Sequence, residues 1–218
     1  MSTAFKTRTQ LVAEALREQI LSGAISAGEP LRQDAIAKSF NVSRIPVREA
    51  LLQLEAQGLV HFEPHKGAIA TELSIRDISE LFSLRALLEG EILGLAIDQM
   101  NAETLIKAKN ICKEYHEVLQ DDEQVERWSR LNQKFHATLY TPADQPLTMQ
   151  LIDSLNTKCD RYIRLQLLLT DGIEKAEQEH EYLLNLCQEG KKQEAVQFLQ
   201  SHILEAGQAI RNRLANML

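Results

Sequence analysis

Proline and glycine are scarce in this chain, whose 218 residues include 5 prolines and 9 glycines. Because these two residues mark most turns and loops, their scarcity leaves little room for long loops and predicts a mainly helical protein. Long apolar runs are also lacking, since none approaches the roughly 20 residues needed to span a membrane. The first residues, Met1 to Lys6, contain no apolar signal core. We therefore expect a cytoplasmic protein with no membrane partner.

Cysteine is scarce as well, and the three that occur lie far apart, at Cys112, Cys159 and Cys187. An odd number of widely spaced cysteines, each within a helical pattern, fits neither a disulfide framework nor a zinc cluster. We expect free thiols that are mostly buried.

The sequence also lacks an excess of positive charge. The formal net charge of −7 argues against a protein that coats nucleic acid. The charge is uneven, however: residues 1–75 contain eight basic and eight acidic residues, and the rest of the chain carries the whole −7. A neutral N-terminal part can still bind DNA if its few cations lie together on one surface.

The N-terminal part shows three helical segments followed by a hairpin. Apolar spacing predicts a helix over residues 8–22, with Leu11 on its apolar stripe, and a second over residues 33–39. A third helix is predicted from Ser43 to Gln57 and ends at Gly58. Two short, partly apolar runs then flank the turn signal Pro64-His65-Lys66-Gly67. Three helices followed by a β-hairpin predict a winged helix-turn-helix.

The third helix has the features of a DNA-recognition helix. Ser43 is a suitable N-cap, and Pro46 is tolerated in the first turn because the N–H groups there have no intrahelical partner. The helical period places four apolar side chains on one face, Val47, Ala50, Leu51 and Leu54. Arg44 and Arg48 remain on the open N-terminal end, where they could enter a major groove. Taken alone, the segment fits an ordinary amphipathic helix with solvated arginines equally well.

The surrounding residues resemble the DNA-binding domain of the GntR family of bacterial repressors. The resemblance runs in register through Gly28–Leu31, Ala35–Ala37, Val42–Leu51, Leu54–Val60 and Pro64–Gly67. It implies base and phosphate contacts from Ser43, Arg44, Pro46 and Arg48, a wing tip at His65, Lys66 and Gly67, and a weaker phosphate contact from Arg32. An arginine fork suits guanine O6 and N7, and each such pair discriminates by roughly 1–3 kcal/mol.

The remainder of the chain predicts an antiparallel all-helical bundle. Ser74 begins it, and the expected domains are residues 1–74 and 75–218. Six helices are predicted, at about 75–99, 102–120, 123–140, 146–169, 173–189 and 191–215. Short connections make neighbouring helices run in opposite directions. The fold class is thus mainly α, a winged helix-turn-helix followed by a bundle.

Three histidines of this bundle lie on apolar helix faces, His136, His180 and His202. Asn132 precedes His136 by one turn, so both side chains can reach one point. Each histidine alone fits a hydrogen-bonded core residue, whereas three converging inside a bundle suit a divalent metal. His116 belongs to no such set and is expected on the surface.

The segments Asn132-x-x-Phe135-His136 and Glu179-His180, with the later His202, are similar to the FCD effector domain of FadR-like GntR regulators, in its VanR-type six-helix version. The resemblance implies a divalent metal held by an acidic residue and three histidines, here Asn132, His136, His180 and His202. Asn132 departs from the family, which usually has aspartate there. A neutral amide should weaken metal affinity and strengthen the pull on an anionic ligand. Zinc, nickel, copper, iron and manganese all remain open.

Arg85 shares a helix face with Leu81, Leu88 and Ile92, which predicts a guanidinium in the core. In the resembled family, an arginine of the matching segment faces the effector pocket, so a carboxylate effector could bind the metal and Arg85 together. The alternative is a structural ion pair with Glu89 one turn later. Further candidates on the fourth helix of the bundle are Arg161, Tyr162 and Arg164.

These features together predict a ligand-responsive transcriptional regulator. The resemblance implies that it is a repressor, because repression relieved by the effector is the commoner outcome in the family, but the sequence itself does not show the sign. We expect a homodimer on a pseudo-palindromic double-stranded operator, with a small organic acid that shifts the placement of the two DNA-binding domains. A regulator that senses the metal itself is one alternative. A metal-dependent enzyme is another, since three histidines could activate water. We do not expect an enzyme, because the sequence shows no general base or nucleophile grouped with the histidines and catalysis would leave the winged helix unexplained.

Overall fold

The structure is a computed structural model that describes residues 6–72, 74–118, 125–169 and 172–215. The chain forms two compact units, Met1–Leu73 and Ser74–Leu218. Within the described ranges, no helix is long and apolar enough to cross a membrane.

The N-terminal unit combines three helices with a small antiparallel sheet. Its elements are α1 Arg8–Leu21, β1 Pro30–Leu31, α2 Gln33–Ser39, α3 Arg44–Ala56, β2 Val60–Glu63 and β3 Gly67–Ala70. Strand β3 lies between the other two and pairs Ile69 with Pro30 and Ala70 with Val60. This arrangement confirms the predicted winged helix-turn-helix. Strand β1 was not predicted, because a two-residue strand beside a turn is too short to show alternation.

The core of this unit lies between α1 and α3. Helix α3 buries the four apolar side chains that its spacing predicts, Val47, Ala50, Leu51 and Leu54. On α1, Val12, Leu16 and Ile20 are buried, but Leu11 is 51% exposed, so its predicted place in the core was wrong. At 100° per residue, Leu11 lies almost opposite the middle of the buried stripe.

Helix caps differ from the prediction in one informative way. Ser43 is the N-cap of α3, as predicted, but its hydroxyl makes no capping hydrogen bond with the helix. In contrast, Thr7 and Gln10 form a reciprocal capping box on α1, with N···O distances of 3.2 and 2.8 Å. Ser74 accepts the N–H of Asp77 at the start of the bundle. The Ser43 hydroxyl is thus exposed and unused by its own helix.

The second unit is the predicted helical bundle. Its described elements are α4 Ile75–Ile97, α5 Ala102–Val118, α6 Val125–Tyr140, a 3-10 turn at Thr141–Ala143, α7 Pro146–Leu169, α8 Gly172–Gln188 and α9 Lys192–Ala215. Helix α4 is central, because it packs against α6, α7 and α9. Where the described residues test them, the predicted helix bounds agree with these to within two residues. The predicted limits at residues 120 and 123 lie outside the described residues. The 3-10 turn, which contains Pro142, was not predicted.

All three cysteines are free and buried, which confirms the prediction. Burial raises the pKa of the Cys159 thiol to about 11 and that of the Cys112 and Cys187 thiols to about 12, with nearby acidic groups contributing at Cys112. Thiols with such high pKa values carry little thiolate at neutral pH and are chemically inert.

The close approach of α4 and α9 depends on Gly207. A Cβ at this position would lie 2.7 Å from Phe82 Cβ and 2.6 Å from Phe82 Cγ. We expect Gly207→Ala to lower the free energy of unfolding by about 1–2 kcal/mol, because overpacking outweighs the gain in helix propensity. Gly94→Ala is the matched control, since a Cβ there meets its nearest atoms at 3.4 Å, an ordinary contact. Urea denaturation of both variants measures the difference, and equal stability would contradict the expected overpacking.

Candidate metal centre and nucleic-acid interface

The open side of α3 presents its arginines to solvent. Arg44 and Arg48 are both exposed, and Arg44 Nε forms an ion pair with Asp34 Oδ1 of α2. Both partners of this pair are mostly exposed, and exposed ion pairs of this kind contribute only about 0–1 kcal/mol. A phosphate, or the acceptor atoms of a guanine edge, can therefore displace Asp34 at little cost. The pairing with Asp34 was not predicted.

The remaining residues of this predicted surface lie at the start of two helices. Pro46 is half-buried in the first turn of α3. Arg32 is exposed at the N-cap position of α2. Both helix starts belong to the helix-turn-helix, so the exposed arginines of α2 and α3 occupy the part of the fold that contacts DNA in this class of proteins.

The wing tip is a tight turn between β2 and β3. Pro64 precedes His65, which has a φ of 65°, and Lys66 N–H donates to Glu63 O at 3.2 Å. Proline followed by a residue with positive φ is the pattern of a type II turn. Gly67 has a φ of 84°, the left-handed angle for which glycine was predicted here. Lys66 Nζ lies 2.6 Å from Glu63, and its hydrogen bond lowers the pKa of that carboxyl.

The structure brings three imidazoles together inside the bundle. His136 of α6, His180 of α8 and His202 of α9 offer ligand atoms that all lie within 4.8 Å of one another. Their ring centroids are 4.9 to 5.7 Å apart. His136 and His180 are buried, and His202 is half-buried. Three different helices thus converge on one polar point in an apolar core.

The electrostatics of this cluster favour the neutral form of His136 and His180. Burial, followed by repulsion from the neighbouring histidines and Arg85, lowers the pKa of His136 well below its usual value. Burial and His202 do the same to His180. Neutral imidazole is the form that binds a metal, so both rings keep a lone pair available at neutral pH.

The donor set fits a divalent metal. Imidazole nitrogens bind zinc at roughly 2.0–2.1 Å, so two ligands of one tetrahedral ion lie roughly 3.4 Å apart. The histidine ligand atoms, within 4.8 Å of one another, have to approach by at most about 1.4 Å to reach that geometry. Asn132 is buried one turn before His136 in α6, as its spacing predicts.

The contacts of the cluster with neighbouring polar groups were not predicted. Glu179 Oε2 lies 2.7 Å from His202 Nδ1. Tyr140 donates its hydroxyl to Glu89 Oε2 at 2.8 Å, and its oxygen lies 3.4 Å from His136 Nδ1. Tyr140 follows His136 by four residues, so helical spacing could have indicated it.

Arg85 is buried, as predicted, and the alternative ion pair is present. Its Nε donates to Glu89 Oε1 at 2.7 Å, and its guanidinium lies 5.4 Å from the centre of the Phe82 ring. Burial acts to lower the pKa of Arg85, but the Glu89 carboxylate outweighs it and the pKa is raised. Arg85 is therefore charged and already bonded to an acid.

The other candidates on α7 have structural contacts. Arg164 lies 3.2 Å from Asp160, and the Tyr162 hydroxyl accepts the N–H of Ser74 at 3.1 Å. The side chains of Arg161 and His116 lie outside the described residues.

Comparison with known proteins assigns both units. Residues 8–69 match the family of bacterial regulatory proteins named gntR, and residues 80–205 match the FCD domain. The chain is 29% identical to the HTH-type transcriptional regulator YdhC of Bacillus subtilis, over 86% of this chain and 84% of the relative. It is 30% identical to the gluconate operon transcriptional repressor of the same organism, over 72% of this chain and 63% of the relative.

A solved structure of a GntR family member from Pseudomonas syringae pv. tomato shares 34% identity, with a TM-score of 0.54, and the match covers 96% of this chain and 88% of that one. GntR regulators bind DNA operators, typically as dimers, and bind effectors in the FCD domain, which often holds a metal. These relatives are regulators, which confirms the prediction that the chain is not an enzyme. The chain belongs to the GntR family of transcriptional regulators, in the branch that carries an FCD domain.

Proposed function

We propose that this regulator is a metal-dependent sensor of a small organic acid and that it represses transcription until the acid binds. The observation that supports this most is the convergence of His136, His180 and His202 within 4.8 Å. An apolar core has no structural need for three imidazoles at one point, whereas a metal uses their lone pairs.

The charge of the centre explains why an acid is the proposed ligand. Three neutral imidazoles and the amide of Asn132, our fourth proposed ligand, leave the full +2 of a bound ion uncompensated. A bound ion of this kind supplies Lewis acidity and open positions that suit carboxylate oxygens. Zinc and nickel are the proposed ions, because imidazole suits both.

Arg85 is the proposed second anchor for the acid. Its charge contributes to the lowered pKa of His136, so the guanidinium acts on the cluster electrostatically. Glu89 occupies its Nε, however, and an acid that binds Arg85 has to share or replace that carboxylate. We propose that this exchange makes the arrangement of α4 sensitive to the ligand.

The N-terminal unit is the proposed operator-binding surface. Arg44 and Arg48 contact base edges, and Ser43 and Pro46 place the start of α3 against the backbone. Arg32 and the wing residues His65, Lys66 and Gly67 add backbone and minor-groove contacts. The Ser43 hydroxyl, which caps no helix N–H, is exposed and can donate to a phosphate oxygen.

A homodimer is proposed from an exposed apolar surface of the bundle. Leu84, Leu87 and Leu95 lie on one side of α4, and all are at least 40% exposed. Leu147 and Leu151 are exposed on α7, which packs beside α4. A second copy of the chain would remove these leucines from water.

A regulator that senses the metal alone is the second candidate. The bond between Arg85 and Glu89 favours it, because a guanidinium already paired with a carboxylate has less need of an acidic ligand. In that case metal binding itself changes operator affinity, and no organic acid adds to the effect.

Metal analysis followed by a thermal-shift screen separates these candidates. We expect the purified full chain to hold about one divalent ion per protomer and to lose it to a chelator. Carboxylic and hydroxy acids, including the gluconate named in one relative, should be screened against their uncharged amides. An acid at 100 times its dissociation constant stabilises the folded chain by about 2.7 kcal/mol. Stabilisation only in the metal-loaded protein supports the proposal, and a chain that binds no metal contradicts it.

A further inference from the structure

His202 forms a hydrogen bond with an acidic residue of the neighbouring helix α8. Glu179 Oε2 lies 2.7 Å from His202 Nδ1, and the two side chains are 21% and 14% exposed. Glu179 Oε1 also lies 3.3 Å from Lys175 Nζ, so this carboxylate pairs with a lysine as well. An ionised carboxylate can only accept a hydrogen bond, so Nδ1 of His202 is the donor and its Nε2 carries the lone pair.

His136 is held in the same tautomer by a longer route. Tyr140 has a single hydroxyl hydrogen, which it donates to Glu89 at 2.8 Å. Its oxygen can then only accept at His136 Nδ1, 3.4 Å away, which leaves Nε2 of His136 with the lone pair. Two of the three imidazoles are thus linked to an acid through Nδ1. His202 bonds Glu179 directly, and His136 is linked to Glu89 through the Tyr140 hydroxyl.

We propose that Glu179 is a positioning residue of the metal centre. It fixes the His202 ring with Nε2 available to the ion, and it places a negative charge one hydrogen bond away from that ring. This inference rests on the proposed function, since it concerns the same metal. An acid that accepts from the far nitrogen of a ligating histidine sets its tautomer and ring orientation and raises its basicity. Glu179 in this way supplies part of the negative charge that an aspartate would provide and that the neutral amide of Asn132 does not.

The chain contains a matched control for this role. Lys175 Nζ lies 3.3 Å from Glu179 and 3.0 Å from Glu205, so the two acids share one lysine. Glu205 is 62% exposed and bonds Lys175. Replacing either acid removes one negative charge and one contact with Lys175, but of the two only Glu179 bonds the His202 imidazole.

The test compares Glu179→Ala and Glu179→Gln with Glu205→Ala in the full chain. Zinc affinity is measured by competition with a chelator, and the unfolding temperature of each metal-free protein is measured alongside it. We expect Glu179→Ala to bind zinc about 10- to 100-fold more weakly than the parent. The zinc affinity of Glu179→Gln should lie between those of the parent and Glu179→Ala, since the amide oxygen still accepts a hydrogen bond from His202. Glu205→Ala should remain within about twofold of the parent, because an exposed ion pair contributes little.

Nitrogen NMR of the histidine side chains gives a readout that a merely structural role would not change. The metal-free parent should show His202 protonated at Nδ1, and Glu179→Ala should show a mixture of tautomers. If Glu179→Ala keeps the zinc affinity of the parent, or weakens it no more than Glu205→Ala does, the inference is wrong although the metal centre stands. If the parent binds no metal, the proposed function itself is wrong.

Discussion

Replacing Arg44 and Arg48 together with alanine is expected to weaken specific operator binding by at least about 30-fold without unfolding the protein. Both side chains are exposed, and the buried face of α3 is formed by other residues. Each arginine that bonds a guanine contributes roughly 1–3 kcal/mol, so the double variant should bind about 30-fold to 10⁴-fold more weakly. Loss of the ion pair between Arg44 and Asp34 should change stability by less than about 1 kcal/mol.

Fluorescence anisotropy on an operator selected from random DNA, at fixed salt, measures this effect. Salt must be constant because phosphate contacts make affinity strongly salt-dependent. The control is Arg211→Ala with Arg213→Ala, which removes two exposed arginines of α9 and hence the same charge. The control should bind the operator like the parent. Equal losses in both double variants would mean that only net charge matters, and parent-like binding by the α3 variant would exclude α3 as the recognition helix.

Removal of a single imidazole is expected to have the second large effect. His136→Gln keeps most of the buried volume but replaces an imidazole with a weakly ligating amide. We expect metal affinity to fall by more than the roughly 10- to 100-fold typical of groups that only support a ligand. Inductively coupled plasma mass spectrometry of the dialysed protein, with chelator competition, measures the loss.

His61→Gln is the control for this variant. His61 lies on β2 in the other unit and bonds Glu63 there, outside the histidine cluster. It should retain metal at the stoichiometry of the parent, and the circular dichroism of both metal-free variants should match that of the parent. Metal retention by His136→Gln at parent affinity would exclude His136 as a ligand even if the parent holds an ion.

Local patterns explain why most of the fold could be predicted. The bundle helices follow from apolar residues at helical spacing and from turn signals that depend only on neighbouring residues, so Pro146–Leu169 was predicted with the bounds that the structure has. Strand β1 could not be predicted, because it exists only through its pairing with β3. Leu11 was misplaced because it is apolar, although its helical angle is almost opposite the buried stripe. The missing bond at Ser43 depends on a rotamer, which the sequence does not specify.

The candidate site likewise has a part that the sequence could predict and a part that it could not. His136, His180 and His202 could be predicted to face the interior, because each shares a helix face with apolar residues. Their partners could not: the contact of Glu179 with His202 joins two helices, and Glu89 is shared between Arg85 and Tyr140 through three-dimensional packing. Whether Arg85 binds Glu89 or a ligand depends on an energy balance that helical spacing cannot provide.

The central claim is that an acid bound at a metal centre controls operator affinity, and titration of acids into the complex of metal-loaded protein and operator tests it most directly. We expect at least one carboxylic acid to weaken operator binding by about 5- to 150-fold, the usual range of coupling between sites. The same acid should have no effect on His136→Gln or on the metal-free parent. Release of DNA by metal alone, with no further effect of any acid that binds the protein, would contradict the claim.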